Sequence, residues 1–479
     1  MSNILKHLET RDRPGTIVVL FFFLTGCTVI PPEVFTTETA TTLGEVSARK
    51  DQAPPSIVRD STFKDSFFGK TVRQAVLDFP ALSGQNARVS GAAARLDALQ
   101  GSLLPQLSAG VSAGQAVAGD NSGATADAYV TVRQLIFDGA ATKNRIALTQ
   151  ISQKQLTLEL DVLLSSLSRR IATAALDLWE QTQLLELAGD DVAAHEVFVQ
   201  QTRERVTGGT TTESDLLSAL SRLADAQSQR AQAVAAQAQA QASYIALIGP
   251  LPVVSGLPPP LPRLSDELAR NRIDTSSQLA VLRMRLAGAG AEVDVARSGR
   301  FPGIFLELTG RQTDLASEDS EFEVFAGFSV DQSIFSGGQQ RAREEQAASN
   351  LRLAESVFDE TRREIRRQLD VALANRSAAE QQAAAAAEAA RANAAVLDAA
   401  RIQFSIGRRG IVEILDAQRD LTSALAREIA LQGVRIRTEL EILEMTGDLA
   451  TVFGIDHAGT KSARRAPHRM SAERVSEDG

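Results

Sequence analysis

The sequence predicts an α+β chain built as two copies of one plan, each a helix, two strands and a very long helix that turns and comes back. Three observations predict it. Landmarks recur at a constant offset of 198 residues, four segments alternate apolar and polar residues with period two, and helical periodicity continues through stretches longer than a globular core is wide. Composition bounds the rest. With 479 residues, 44% hydrophobic and 23% charged, 32 Gly and 15 Pro, the chain is neither disordered throughout nor collagen-like. No later stretch reaches the roughly 20 uninterrupted apolar residues that a spanning helix needs. Fifty Lys and Arg against 59 Asp and Glu leave a formal charge of -9, which gives no electrostatic footprint for nucleic acid.

One Cys and four His cannot supply a converging metal or nucleophilic set: His7 lies near the start, His457 and His468 in a polar tail, and only His195 in a periodic segment. A lone His there reads as structural. There is no P-loop, no GxSxG and no His-Asp-nucleophile set, so neither an enzyme nor a cofactor is expected.

At the N-terminus, Lys6, Arg11 and Arg13 precede the apolar run Ile17 to Leu24, the length of a signal-peptide core and too short to span as a helix. Leu24-Thr25-Gly26-Cys27 follows and resembles a bacterial lipobox, which implies removal of residues 1–26 and acylation of Cys27. The alternative is an ordinary signal peptide with a cysteine near the cut. Thr28 is not the Asp that resembles an inner-membrane retention signal, so an outer-membrane destination stays open. Residues 27–70, with Pro31, Pro32, Pro54 and Pro55, read as an extended lead to the first helix.

The repeats run over 71–249 and 268–449, separated by the proline-rich linker 250–267. Ile136-Phe137-Asp138-Gly139 returns as Ile334-Phe335-Ser336-Gly337, and Gly209, Asp215 and Ala219 return as Gly407, Glu413 and Ala417, all 198 residues on; Pro105 and Pro302 are 197 apart. In the second copy Phe322, Val324, Ala326, Phe328, Val330 and Ile334 alternate with Glu321, Glu323, Gly327, Ser329, Asp331 and Ser333. Val130, Val132 and Ile136 alternate with Tyr129, Thr131 and Arg133 in the same phase. Leu107, Ala109, Val111, Ala113 and Val117 alternate with small polar residues, and Ile304, Leu306 and Leu308 with Phe305, Glu307 and Thr309. One apolar and one charged face suit a membrane barrel with a watery lumen, and equally a half-buried soluble sheet. Strands of about ten residues suit a tilted crossing, but four cannot close a barrel that needs about eight. Several chains must then pool them.

The 67 residues from Ala140 to Val206 would extend about 100 Å as one helix at 1.5 Å per residue. Leu160, Leu163, Leu167, Ile171, Ala174, Leu178 and Leu185 form a coiled-coil-like seam along it. The matching helix contains SAAEQQAAAAAEAARANAA, whose small side chains make it either a close-packed wall or a low-complexity spacer. The polar, aperiodic stretch 450–479 reads as a disordered tail.

These features together resemble the TolC-like outer-membrane efflux and secretion channels, here as a lipoprotein member. The most specific stretch is SIGRRGIVEILDAQRDL, Ser405 to Leu421, which is similar to that family's second periplasmic hairpin tip. There the resemblance implies a pore constriction formed by Glu413 and Asp416, with Glu413 replacing the more familiar Asp, and tips built on Gly209, Gly407, Arg408, Arg409 and Gly410. At spacing three the two carboxylates share a helix face, and three copies would crowd six around one lumen, attracting cations. The plainer reading is that acids are favoured in the first turn by the helix dipole. Arg408 and Arg409 either form closing salt bridges or are solvated.

The resemblance implies a homotrimer in which twelve strands form one outer-membrane β-barrel, continuous with a long periplasmic α-helical barrel that is ringed midway by a belt. It also implies a periplasmic adaptor and an inner-membrane ABC transporter or proton-driven pump. The expected function is the passive exit duct of a tripartite export system, lipid-anchored in the outer membrane and serving type I protein secretion. Multidrug or metal efflux with a proton-driven pump is the alternative, and a coiled-coil structural lipoprotein of the envelope the third.

Overall fold

The strand-to-helix turns explain the repeated Ile-Phe-x-Gly motif and set the architecture. The computed structural model describes residues 61–115, 124–249, 256–313, 315 and 321–455, all within the unit Val46–Gly479. The elements are α1 (Ser61–Lys64), α2 (Phe67–Leu77), α3 (Pro80–Gly101), β1 (Gln106–Gln115), β2 (Ala124–Phe137), α4 (Ala141–Thr207), α5 (Glu213–Ile248), α6 (Asp266–Ile273) and α7 (Ser277–Ser298). Then follow β3 (Gly303–Thr313), β4 (Glu321–Asp331), α8 (Gln339–Ser405), α9 (Ile411–Thr446) and α10 (Leu449–Val452). Helices α4 and α8 each have 67 residues and α5 and α9 each 36, the members of each pair starting 198 residues apart. The α3 and α7 helices each have 22.

After β2 the chain turns through Gly139 at φ 62 and Ala140 at φ 66, and the Asp138 carboxylate accepts from the Thr142 amide at 2.7 Å. Before α8, Gly337 and Gly338 take φ 60 and 84. Left-handed backbone at both points sends the chain abruptly from sheet into helix, which is what glycine tolerates.

The four strands form one antiparallel sheet in the order β1-β2-β3-β4, so the β2–β3 pairing joins the two halves. The register stacks Gln106, Arg133, Glu307 and Gly327 in one row and Ser108, Thr131, Thr309 and Phe325 in the next. These polar rows share one face. Rows such as Leu107, Val132, Leu308 and Ala326 line the other, where Leu107 is 72% and Phe328 69% exposed. An apolar face left open in this way is incompatible with an isolated sheet in water. A bulge at Ile136 shifts the register between Leu135 and Phe137. The expected alternation does not extend to Ile334: β4 ends at Asp331, because the chain must already be turning towards Gly337. Val117 lies outside the described residues.

The seam along α4 is as expected for Leu160, Leu167, Ile171, Ala174 and Leu178, which are buried, with Leu163 and Leu185 partly so. Leu160, Leu167, Ile171 and Leu178 enter a core shared with Leu369 and Leu373 of α8, Leu440 and Leu443 of α9, and Tyr244 of α5. Two expected boundaries move. The extended lead over 27–70 gives way to helix at Ser61, and Phe63 and Phe68 are buried in this core. The disordered tail expected from 450 is not seen over 450–455, where α10 returns Phe453 and Ile455 to this core. The physical reason is one aromatic cluster: the Phe63 and Phe68 rings lie 5.4 and 6.2 Å from Phe453. Of the proline-rich linker, residues 256–264 run without helix or strand, and Leu264 is buried. In the Ala-rich run only the stripe Ala379, Ala386 and Ala390 is buried; it faces within the chain. Among the described residues no helix is long and apolar enough to cross a membrane. The signal peptide, the lipobox with Cys27, and residues 456–479 lie outside the described residues.

Candidate functional site

Both hairpins reverse on the same backbone device. At the first tip Gly209 takes φ 72, and the Thr210 amide donates to the Arg205 carbonyl at 2.9 Å. At the second Gly407 takes φ 75, and the Arg408 amide donates to the Gln403 carbonyl at 2.8 Å. These six-to-one bonds close the descending helices and satisfy carbonyls that the helix end leaves open.

The ascending helices start differently. Thr212 caps α5 in a capping box: its hydroxyl accepts from the Asp215 amide, and the Asp215 carboxylate accepts from the Thr212 amide at 3.1 Å. Thr211 and Thr212 hydroxyls donate to the same carboxylate at 2.6 and 2.8 Å and hold its pKa below the usual range. Asp215 is therefore a helix-start acid consumed by capping. Its counterpart Glu413 stands at the third position of α9, where the cap is Gly410 and offers no hydroxyl. Glu413 is freed from that task and faces outward, with Arg409 Nε 3.2 Å from its Oε2.

Asp416, one turn further on, lies 3.3 Å from Arg419 on its own helix and 3.7 Å from Arg222 on α5. The predicted pair thus shares one face of α9, but each carboxylate carries a guanidinium partner. Arg409 makes its salt bridge inside one tip, not between tips, and Arg408 is exposed. A core of Phe198, Leu216, Leu397, Phe404, Ile411 and Ile414 packs beneath both tips. Arg205 clamps them by donating to the Phe404 carbonyl at 2.7 Å and stacking on its ring at 3.7 Å. Beside it opens a groove of about 570 Å³ lined by Val197, Gln201, Arg205 and Arg401.

Sequence reading missed the group directly above the tips. Asp191 and His195 of α4 and Gln418 of α9 are buried, and Asp191 Oδ1 accepts from Gln418 Nε2 at 2.9 Å and from Thr422 Oγ1 at 2.6 Å. His195 was visible as a lone residue, but Gln418, which bonds its neighbour Asp191, is 227 residues from Asp191 in sequence. No local spacing could reveal them. Nor could spacing show the polar cluster on the sheet, where Arg133 lies over the Phe305 ring at 3.9 Å and pairs with Glu307 at 3.0 Å and Asp331 at 3.6 Å.

A protein-family model described as outer membrane efflux protein matches residues 268–448. The outer membrane efflux protein BepC of Brucella suis biovar 1 (strain 1330) is 24% identical over 346 residues, 71% of this chain and 75% of that one. Among solved structures, the Campylobacter jejuni CmeC outer membrane channel has a TM-score of 0.72 at 14% identity and covers 83% of this chain and 91% of its own. The outer membrane protein VceC of Vibrio cholerae has a TM-score of 0.72 at 14% identity, covering 82% and 99%. At such identities the structures establish the fold. With a family match over residues 268–448, a relative at 24% identity spanning both halves and that shared fold, the chain is similar to outer membrane efflux proteins.

Proposed function

We propose that three copies of this chain form the outer-membrane exit duct of a tripartite export system, a passive conduit whose energy comes from an inner-membrane partner. The observation that carries this reading is the single sheet. Its apolar face is uncovered, its opposite face bears Arg133, Glu307, Arg311, Glu323 and Asp331, and it is continuous with helical hairpins of about 100 Å. Four strands per chain need partners to close, and twelve from three copies suffice. Exposed Phe137, Phe301, Ile334 and Phe335 at the foot of the sheet suit the boundary between hydrocarbon and periplasm. Acylation of Cys27 would add a lipid anchor, and a periplasmic adaptor would dock at the hairpin tips.

The cargo reading rests on different supports. The IVEILDAQ tip resembles secretion-type members, which favours type I protein secretion with an ABC transporter. The family description and the name of the Brucella relative both speak of efflux, which favours small-molecule or metal efflux with a proton-driven pump.

Single-channel recording in a planar bilayer, with mass determined in detergent, tests the duct. A trimer giving small, discrete, cation-selective openings is expected, blocked by multivalent cations in a manner that Glu413→Ala with Asp416→Ala abolishes. Unchanged block in that double variant removes the constriction from these residues. A species that neither conducts nor partitions with outer membrane returns the chain to the structural-lipoprotein reading.

A further inference from the structure

The polar group above the tips joins the two hairpins of one chain. Asp191 lies on α4, in the first hairpin; Gln418 and Thr422 lie on α9, just beyond Glu413 and Asp416. A carboxylate oxygen held by two side-chain donors in a buried seam fixes the lateral position of a helix more sharply than apolar packing, because sliding would strand the charge without donors. We propose that Asp191 is the positioning residue for the constriction helix, clasping α9 to α4 so that the tips part elsewhere. The inference rests on the duct reading for its meaning, though not for its test.

The 198-residue offset indicates where they would part. If three copies close a ring, α8 of one chain meets α5 of the next at the seam equivalent to that between α4 and α9. There Ala389 and Asn393 stand for Asp191 and His195, and Leu220 and Ala224 for Gln418 and Thr422. Ser218 and Asp420 likewise stand for Asp416 and Arg222, so the ion pair across the clasped seam has no counterpart. The seam within a chain is clasped by a carboxylate with two side-chain donors, whereas at the equivalent positions between chains Ala389, Leu220 and Ala224 supply neither the carboxylate nor the donors.

His195 gives the clasp a sensitivity to acid. It is 4% exposed, its Nε2 lies 3.8 Å from Asp191 Oδ2, and its buried Nδ1 has no hydrogen-bond partner. Burial is the largest influence on the ring and holds its pKa below the usual imidazole value. Asp191 on its own helix and Asp225 on α5 oppose that effect, and Arg222 on α5 adds to it. Arg401 of α8 reaches the clasp through Gln418 at 3.4 Å, and α9 presents the neutral Gln418 and Thr422. A proton on Nδ1 would be a buried donor without an acceptor, so protonation requires water to enter the seam. The clasp therefore holds above the ordinary imidazole range and loosens as pH falls below it.

Hydrogen-exchange protection of residues 411–422 in the purified full chain tests this without requiring a conducting channel. Asp191→Ala is expected to lower their protection about tenfold, the equivalent of one or two lost buried hydrogen bonds. Residues 213–224 should be unaffected, and Asp191→Asn, which keeps the accepting oxygen, should stay near wild type. Protection of 411–422 should also fall as pH drops from 7 to 5, and His195→Gln should flatten that profile. If Asp191→Ala fails to assemble, Thr422→Val removes one donor and must show the same local loss. Wild-type protection in Asp191→Ala or Thr422→Val, or an unaltered pH profile in His195→Gln, overturns the clasp. In a bilayer Asp191→Ala should raise the open-to-closed ratio. A wild type that never conducts counts against the duct and leaves the exchange result standing.

Discussion

Glycine identity at the strand-to-helix turns separates two effects that usually travel together. Gly139 and Gly337 occupy the same place in the two halves at nearly the same φ, 62 and 60. A Cβ on Gly139 would sit 2.3 Å from Cβ of Phe301, whereas Gly337 has open space around it. Gly337→Ala should therefore cost only the left-handed backbone penalty, about 1–2 kcal/mol. Gly139→Ala should cost clearly more, since Phe301 must also shift; thermal melting of the two variants checks the order. The Ile-Phe-x-Gly repeat disclosed that both residues matter. The difference between them depends on a ring 162 residues away along the chain, which no motif contains.

At the scale of helices, the two tips share a turn and differ in how the returning helix begins. Thr212→Ala should destabilise the start of α5 by about 1 kcal/mol, because it removes the hydroxyl of the capping box. Asp215 is held below its ordinary pKa by Thr211 and Thr212, so its part in the cap is present above the usual carboxylate range and lost only as pH falls through the lowered value. Gly410→Ser should do the reverse at α9, adding a hydroxyl cap worth a few tenths of a kcal/mol and drawing Glu413 back towards the helix start. Local exchange rates at 213–216 and 411–414 report both changes. The acids at 215 and 413 align in sequence, and dipole preference is a fair account of either. Only the presence of Thr212 and the lack of a hydroxyl at Gly410, read with their geometry, assigns one acid to capping and frees the other.

Across the whole unit, titration acts in opposite directions at the tips and in the middle. Near the end of α9, burial raises the pKa of Glu439, Glu444 and the following Asp448 more than their guanidinium partners lower it. Those partners are Arg376, Arg169 and Arg272, drawn from three different helices. A carboxyl whose folded pKa is raised contributes stability that is present at low pH and lost as pH rises through that value. Exchange protection at 436–448 should accordingly hold or increase as pH drops from 7 to 5, while protection at 411–422 falls. A uniform response along α9 would contradict the division. The opposition follows from where each group is buried: three acids desolvated near the shared core, one imidazole desolvated between the hairpins.

Much of this was legible in one dimension. Equal offsets, period-two strands and 67-residue helices predict two matching halves, and the lengths of α4 and α8 agree with them, because periodicity and glycine turns are local properties of the chain. The expected tail from 450 and the lead up to 70 were too generous, since Phe63, Phe68 and Phe453 find each other only when the ends meet. Tertiary structure alone brought Asp191 and His195 to Gln418 and Thr422, and Arg133 to Phe305 and Glu307. Such contacts join residues more than a hundred positions apart, and a pattern of spacings records which face a side chain takes, not what will stand opposite it.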